Sequence, residues 1–241
     1  MGAETVMAQV GSQNHAGQQV QRAYARMAGL MYLTVLVFDI TDLWIESAIK
    51  GGGSFVDAAH NIQASEGLYR IALTCGLVGT LATVLLAVGL YVALRPVDAN
   101  LALTALLFRI IEAAIGGVGA VSAFATLQAY LAANHASALD AKQMAAVLDI
   151  TSSASGFYVP AIFFCVGSTI FFYLFLRSAY IPRILAGWGV FASVLYLLVF
   201  LLILIAPQAS GILLVIGSIP ILLAEVSTGL WLLVRGIKMT G

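Results

Sequence analysis

The chain has 241 residues, 61% of them hydrophobic and 9% charged, with eleven basic side chains balanced by eleven acidic ones. A soluble domain carries about a quarter charged residues, so this composition excludes an ordinary water-soluble fold and makes the lipid bilayer the first partner. Balanced charge without a long Lys/Arg run excludes a nucleic-acid face and a polybasic lipid patch.

Residues 1–26, rich in Gln, Ala and Gly, have no apolar core and are expected to form a mobile cytoplasmic tail, not a cleavable signal peptide. Val6 stands where a myristoylation signal requires a small hydroxyl residue. Beyond the tail, a bilayer core about 30 Å thick needs roughly 20 apolar helical residues to cross it. Six segments meet that length: 27–48, 69–94, 101–132, 154–177, 184–206 and 211–234. The expected fold is an all-α integral membrane protein, a six-helix transmembrane domain over 27–235, with 236–241 as a short cytoplasmic C-terminal tail. Arg26, Arg95-Pro96, Arg177, Pro182-Arg183 and Arg235 anchor the boundaries, and Pro207 closes the fifth span.

Orientation follows from the basic residues. One side holds Arg22, Arg26, Arg95, Arg177, Arg183, Arg235 and Lys238, and the other only Lys50, Arg70 and Lys142. Cytoplasmic flanks retain Lys and Arg, so both termini are expected inside and the longer connections, 49–68 and 133–153, outside. Small residues on the third span (Gly116, Gly117, Gly119, Ala120, Ala123) and the second (Gly76, Gly79, Thr80, Thr83) predict close helix packing.

At 1.5 Å per residue, Asp39 lies about 18 Å below the inner end of its span, Arg109 and Glu112 at about 12 to 17 Å, and Glu225 at about 15 Å. Four ionisable side chains therefore share the midplane. Each would cost about 2.5 to 3.5 kcal/mol if left facing lipid, which predicts that they turn inward. Arg109 and Glu112, three residues apart, share a helical face and can pair; Asp39 or Glu225 could instead reach Arg109 from a neighbouring helix. One arginine cannot neutralise three carboxylates, and full ionisation would leave a charge of minus two in a medium that penalises it. At least one carboxyl is then protonated or holds a cation. Such a cluster serves either as helix-to-helix glue or as part of a proton or ion pathway, and three acids with one base exceed what glue requires.

Asp39, Asp42 and Glu46 form a stripe on the first span, descending from the outer interface near Trp44 to the midplane. It either lines a vestibule, or Asp42 and Glu46 emerge into water and pair with Arg70. His60 and His135 sit on the two outer connections with Asp57, Glu66, Asp140 and Asp149 nearby, but without metal-ligand spacing, so no metal site is expected. Gly51-Gly52-Gly53 lacks the lysine and hydroxyl of a phosphate loop, Pro160 predicts a bend in the fourth span, and Cys75 and Cys165 read as packing thiols. No nucleophile or cofactor motif is visible, so an intramembrane enzyme finds no support in these residues and no cofactor is expected.

Several runs, taken in order, carry a family likeness: Arg26 to Leu33, Glu66-Gly67-Leu68-Tyr69-Arg70, Leu94-Arg95-Pro96-Val97 with Leu101-Ala102-Leu103, Phe108-Arg109-Ile110-Ile111-Glu112, and Ala224-Glu225 before Leu230 to Gly236. Over residues 26 to 237 the chain resembles the bacterial membrane family catalogued as domain of unknown function 4386. The resemblance implies a multi-pass protein of the bacterial cytoplasmic membrane without an assigned activity. Arg109, Glu112 and Glu225 fall inside the matching runs, whereas Asp39 and Asp42 stand where less polar residues are expected. Function is thus expected to be proton- or cation-coupled movement of a small solute through Asp39, Arg109, Glu112 and Glu225, with Asp42, Glu46 and Arg70 at the outer mouth. The alternative is a non-catalytic protein binding a lipid or a partner subunit.

Overall fold

A computed structural model of the chain describes residues 3–133, 143 and 155–238. The described residues form seven α-helices and no strand: α1 (Ala3–Lys50), α2 (Phe55–Ala64), α3 (Glu66–Leu94), α4 (Ala99–Ala133), α5 (Ser155–Ser178), α6 (Arg183–Ile205) and α7 (Ser210–Val234). All except α2 contain a stretch long and apolar enough to cross a membrane. The protein is therefore an all-helical, multi-pass membrane protein whose six spans match the expected segments within a few residues, except at the start of the first.

That first helix begins well before position 27. Residues 16–26, expected as part of a tail, continue α1, and Gln21 and Ala25 are buried within it. A buried amide needs partners, and Gln21 has two: its Nε2 donates to the Ala93 carbonyl at 2.6 Å and to the Tyr180 hydroxyl at 3.2 Å. Three segments are thereby tied together at the face where both chain ends lie. There Gly236, with φ of 66°, ends α7 by donating its amide to the Trp231 and Leu232 carbonyls.

The connection between α1 and α3 is not simply a loop. Ser54-x-x-Asp57 forms a capping box: the Asp57 amide donates to Ser54 Oγ at 3.3 Å, and the Ser54 amide donates to Asp57 Oδ2 at 2.9 Å. The Ser54 hydroxyl also donates to Asp57 Oδ2 at 2.8 Å, and this bond, with the one from the Ser54 amide, holds the Asp57 carboxyl below its ordinary 3.8. The ten-residue α2 that follows buries Ala58, Ala59 and Ile62 across α1, α3 and α4 and stacks Phe55 on Tyr130 at 5.0 Å. The connection between α4 and α5, with His135, Asp140, Lys142 and Asp149, lies outside the described residues.

The six spans close into a ring in chain order, α1–α3–α4–α5–α6–α7 and back to α1. Short turns after α3, α5 and α6 make those neighbours antiparallel. In lipid no hydrophobic force draws helices together, so close backbone approach and van der Waals packing must do it. A glycine stands at each of the six contacts. Gly89 meets Ala28 and the Tyr24 carbonyl, Gly116 meets Thr80, and Gly167 meets Arg109. Gly189 receives the Phe172 ring, Gly217 the Tyr196 ring, and Gly29 and Gly229 cross where α1 meets α7. At that crossing a Cβ on Gly29 would stand 2.5 Å from the Leu233 amide nitrogen.

Packing is uneven along the membrane normal. The main core, including Ala25, Ala28, Leu90, Ala93, Ala102, Ala105, Phe172, Phe175 and Leu232, fills the half nearest the chain ends. A small second cluster around Ile49, Ile62, Tyr69 and Leu127 lies under α2 at the far face. Between them the inward stripes loosen: Ala25, Ala28 and Tyr32 of α1 are buried, Leu36 is half-buried, and Asp39 and Leu43 are exposed. Along α4, Ala105 and Arg109 are buried, Glu112 and Gly116 half-buried, and Gly119 exposed. Outside their own helix no described atom lies within 4 Å of a Cβ placed on Gly117 or Gly119, so of the three glycines expected to pack closely on this span only Gly116 does, while Ala123 joins the second cluster.

Candidate functional site

The two halves meet at a belt of polar and aromatic side chains. Arg109 belongs to α4, where the crossing with α5 is close because Gly167 has no side chain; the Arg109 Cγ and Cδ run through the slot this leaves, 3.0 and 3.2 Å from a Cβ placed there. The guanidinium then lies over the Phe164 ring, Cζ 4.7 Å from its centroid, with the residue only 2% exposed. Its Nη1 approaches Glu112 Oε2 at 3.0 Å, as expected for residues three apart on one helix. The approach is an ion pair without a directed hydrogen bond: Arg109 Nε and Nη1 and Glu112 Oε2 are all buried atoms without a hydrogen-bond partner. Glu112 nevertheless keeps 18% of its side chain accessible.

Glu225 enters from α7 and is 8% exposed. It accepts no hydrogen bond and makes no ion pair with any described residue; Arg109 and Asp39 act on it only through space. Tyr32 of α1, Cys165 of α5 and Tyr196 of α6 lie within electrostatic range of it. Tyr196 also contacts Phe164 edge-on, with centroids 6.4 Å apart, and packs on Phe200 at 4.4 Å. Most hydroxyls on these spans donate to their own helix four residues back, as Thr34, Thr80, Thr83 and Thr169 do. Ser193 and Thr228 do not, and both are fully buried without a partner.

Asp39 and Asp42 rest on α3 at two glycines. A Cβ on Gly79 would overlap Asp39 Oδ1, and one on Gly76 would overlap Asp42 Oδ2, so these glycines make room for the carboxylates. Asp39 is exposed yet feels the Arg109 charge; Asp42 keeps one buried oxygen, Oδ1, without a partner. Glu46 pairs with Lys50 at 2.7 Å, and Lys50 Nζ lies 5.4 Å from the Tyr69 ring centroid. Arg70 pairs with Glu66 of its own helix at 2.7 Å, so the pairing of Arg70 with Asp42 or Glu46 is replaced by two local i,i+4 bridges.

Asp39, Arg109, Glu112 and Glu225 thus converge from three helices within mutual electrostatic reach. Asp42 continues that group along α1 toward the face away from the chain ends, while Glu46 and Arg70 are engaged elsewhere. Tyr32, Phe164 and Tyr196 complete the belt with Cys165, which the sequence offered only as a packing thiol; the three rings were not singled out there. An aromatic residue in an apolar span carries no mark of whether it faces lipid or interior. Among the described residues no group of three or more His, Cys, Asp or Glu could hold a metal ion.

No curated protein and no solved structure matches the chain. The family described as Domain of unknown function (DUF4386) matches residues 27–236, from the first span through the end of the last. That match takes in every side chain of the belt, and the chain belongs to this family of multi-pass membrane proteins without an assigned activity.

Proposed function

We propose that the protein moves a small solute across the bacterial cytoplasmic membrane, with the midplane carboxyls exchanging a proton or cation as it passes, and with both chain ends in the cytoplasm. The observation that carries this reading is Glu225, a nine-tenths buried carboxylate without a bonded partner among the described residues, placed where the packed half of the ring gives way to the open half. An uncompensated carboxylate in this setting costs several kcal/mol, so it takes up a proton or a cation. Asp39 and Asp42, seated on the α3 glycines, form the acidic approach from the far side.

The test is ion exchange in proteoliposomes carrying an internal pH indicator. Imposed proton gradients should dissipate in the presence of transported solute, and Glu225→Gln or Glu112→Gln should abolish this dependence; unchanged flux in both variants refutes the role. A second reading, helix assembly, draws on the enclosed Arg109, which Gly167, Phe164 and Glu112 surround. It requires that no solute or proton moves at all.

A further inference from the structure

Acids and aromatic rings come to the Glu225 site from different helices. Glu225 of α7 faces Glu112 of α4 across the ring, with Asp39 of α1 toward the far face. Between α4 and α7 stand aromatic rings from two consecutive helices, Phe164 of α5 and Tyr196 of α6, both half-buried and in edge contact, with Tyr32 of α1 closing the end toward the packed core. Arg109 is the only cation in the group and is already committed, with one face on Phe164 and one edge on Glu112. Arg109 takes one face of Phe164, and Gly217 and Phe200 hold Tyr196, yet both residues stay only half-buried. An acid excess beside such partly open rings is the chemistry that stabilises a weakly hydrated organic cation, since the carboxylate supplies charge and the rings supply quadrupole and apolar contact. A small, strongly hydrated metal ion needs several oxygen ligands at once, and the ring side of this site offers carbon.

From this geometry we infer that the belt binds an organic ammonium ion with an apolar, ring-sized body, its nitrogen at Glu225 and its body against Tyr196 and Phe164. The inference rests on the transport reading for its context and names the class of solute that reading leaves open. Asp39, Leu43 and Gly119, exposed on the inward stripes of α1 and α4, lie between Glu225 and the far face, and the Asp39 and Asp42 carboxylates on that side favour cations over anions.

The test is isothermal titration of the purified full-length protein with benzyltrimethylammonium, phenethylamine, sodium chloride and phenylacetate. Both ammonium ions should bind saturably, phenylacetate should not, and Glu225→Gln should weaken ammonium binding by about tenfold or more. Tyr196→Leu should weaken benzyltrimethylammonium binding by roughly five- to tenfold and serves as the deciding variant if Glu225→Gln does not fold. Binding of sodium alone, or of phenylacetate in place of the ammonium ions, overturns the inference and leaves carboxyl-coupled transport standing. Ammonium binding without any flux upholds the inference and overturns transport. Ammonium binding that survives both variants unchanged overturns the proposed site.

Discussion

The same six helices pack in two ways. Near the chain ends, Ala25, Ala28, Ala93, Ala102, Ala105 and Ala186 are fully enclosed, and Gln21 bridges to the Ala93 carbonyl and the Tyr180 hydroxyl. Toward the far face, α1 and α4 carry their inward stripes into open space at Leu43 and Gly119, and α2 covers one corner. Composition does not separate the halves, because small residues occur in both. What separates them is whether a facing backbone fills the notch: Gly29 and Gly229 are filled by each other's helices, whereas Gly117 and Gly119 are filled by nothing described. A small residue in a membrane helix is therefore a permission for close approach, which the partner helix takes up in one half and leaves unused in the other.

The sharpest way to break that contrast is to place the same side chain in both halves. Gly29→Leu should cost about 3 kcal/mol or more and prevent recovery of monodisperse protein, because its Cβ already overlaps the α7 backbone. Gly119→Leu should change thermal stability by less than about 0.5 kcal/mol, as seen in detergent melting curves. A similar loss for both would mean that the far half is packed after all.

At the boundary between the halves, Arg109→Ala should destabilise by about 3 to 5 kcal/mol, since it strands the Glu112 carboxylate. The double variant Arg109→Ala/Glu112→Gln should recover a clear part of that loss in the same assay, and no recovery would mean that packing against Gly167 and Phe164 is what matters. The smallest effect belongs to the far face. Asp57 is held below its ordinary 3.8 by Ser54, so its contribution to α2 is complete above that value and is lost as pH falls through the lower folded-state value. Amide protection in α2, taken relative to the intrinsic exchange rate at each pH, should accordingly fall below about pH 4 while protection in α3 stays constant, and Ser54→Ala should remove the difference.

The sequence made the spans legible because twenty apolar residues in a row have few other meanings, and it made the Arg109–Glu112 pair legible because a three-residue spacing fixes a shared face. The convergence of Glu225 and Asp39 on that pair was legible as depth but not as contact, since depth follows from counting and contact requires knowing which helices are neighbours. Gln21 was misread for a related reason: a polar stretch ahead of a span looks like a tail until a facing carbonyl, here Ala93, is known. The aromatic side of the belt left no trace, because Phe164 and Tyr196 sit among rings that face lipid, such as Phe191. Ser54 and Asp57 did carry a readable signal, the capping-box spacing, overlooked between a glycine triplet and a span.

The ring also fixes an order of events during synthesis. Each span from α3 to α6 finds one neighbour in the span made just before it, so pairing can proceed two by two as the chain emerges. The seam between α1 and α7 is different: its halves are the first and last spans made, and until α7 arrives the Gly29 surface has nothing to meet. During that interval α1 holds an unsealed edge and the belt lacks Glu225. A ribosome that stops before α7 therefore leaves an open five-span arc with Arg109 and Glu112 already paired, and the last helix both closes the wall and delivers the final carboxylate.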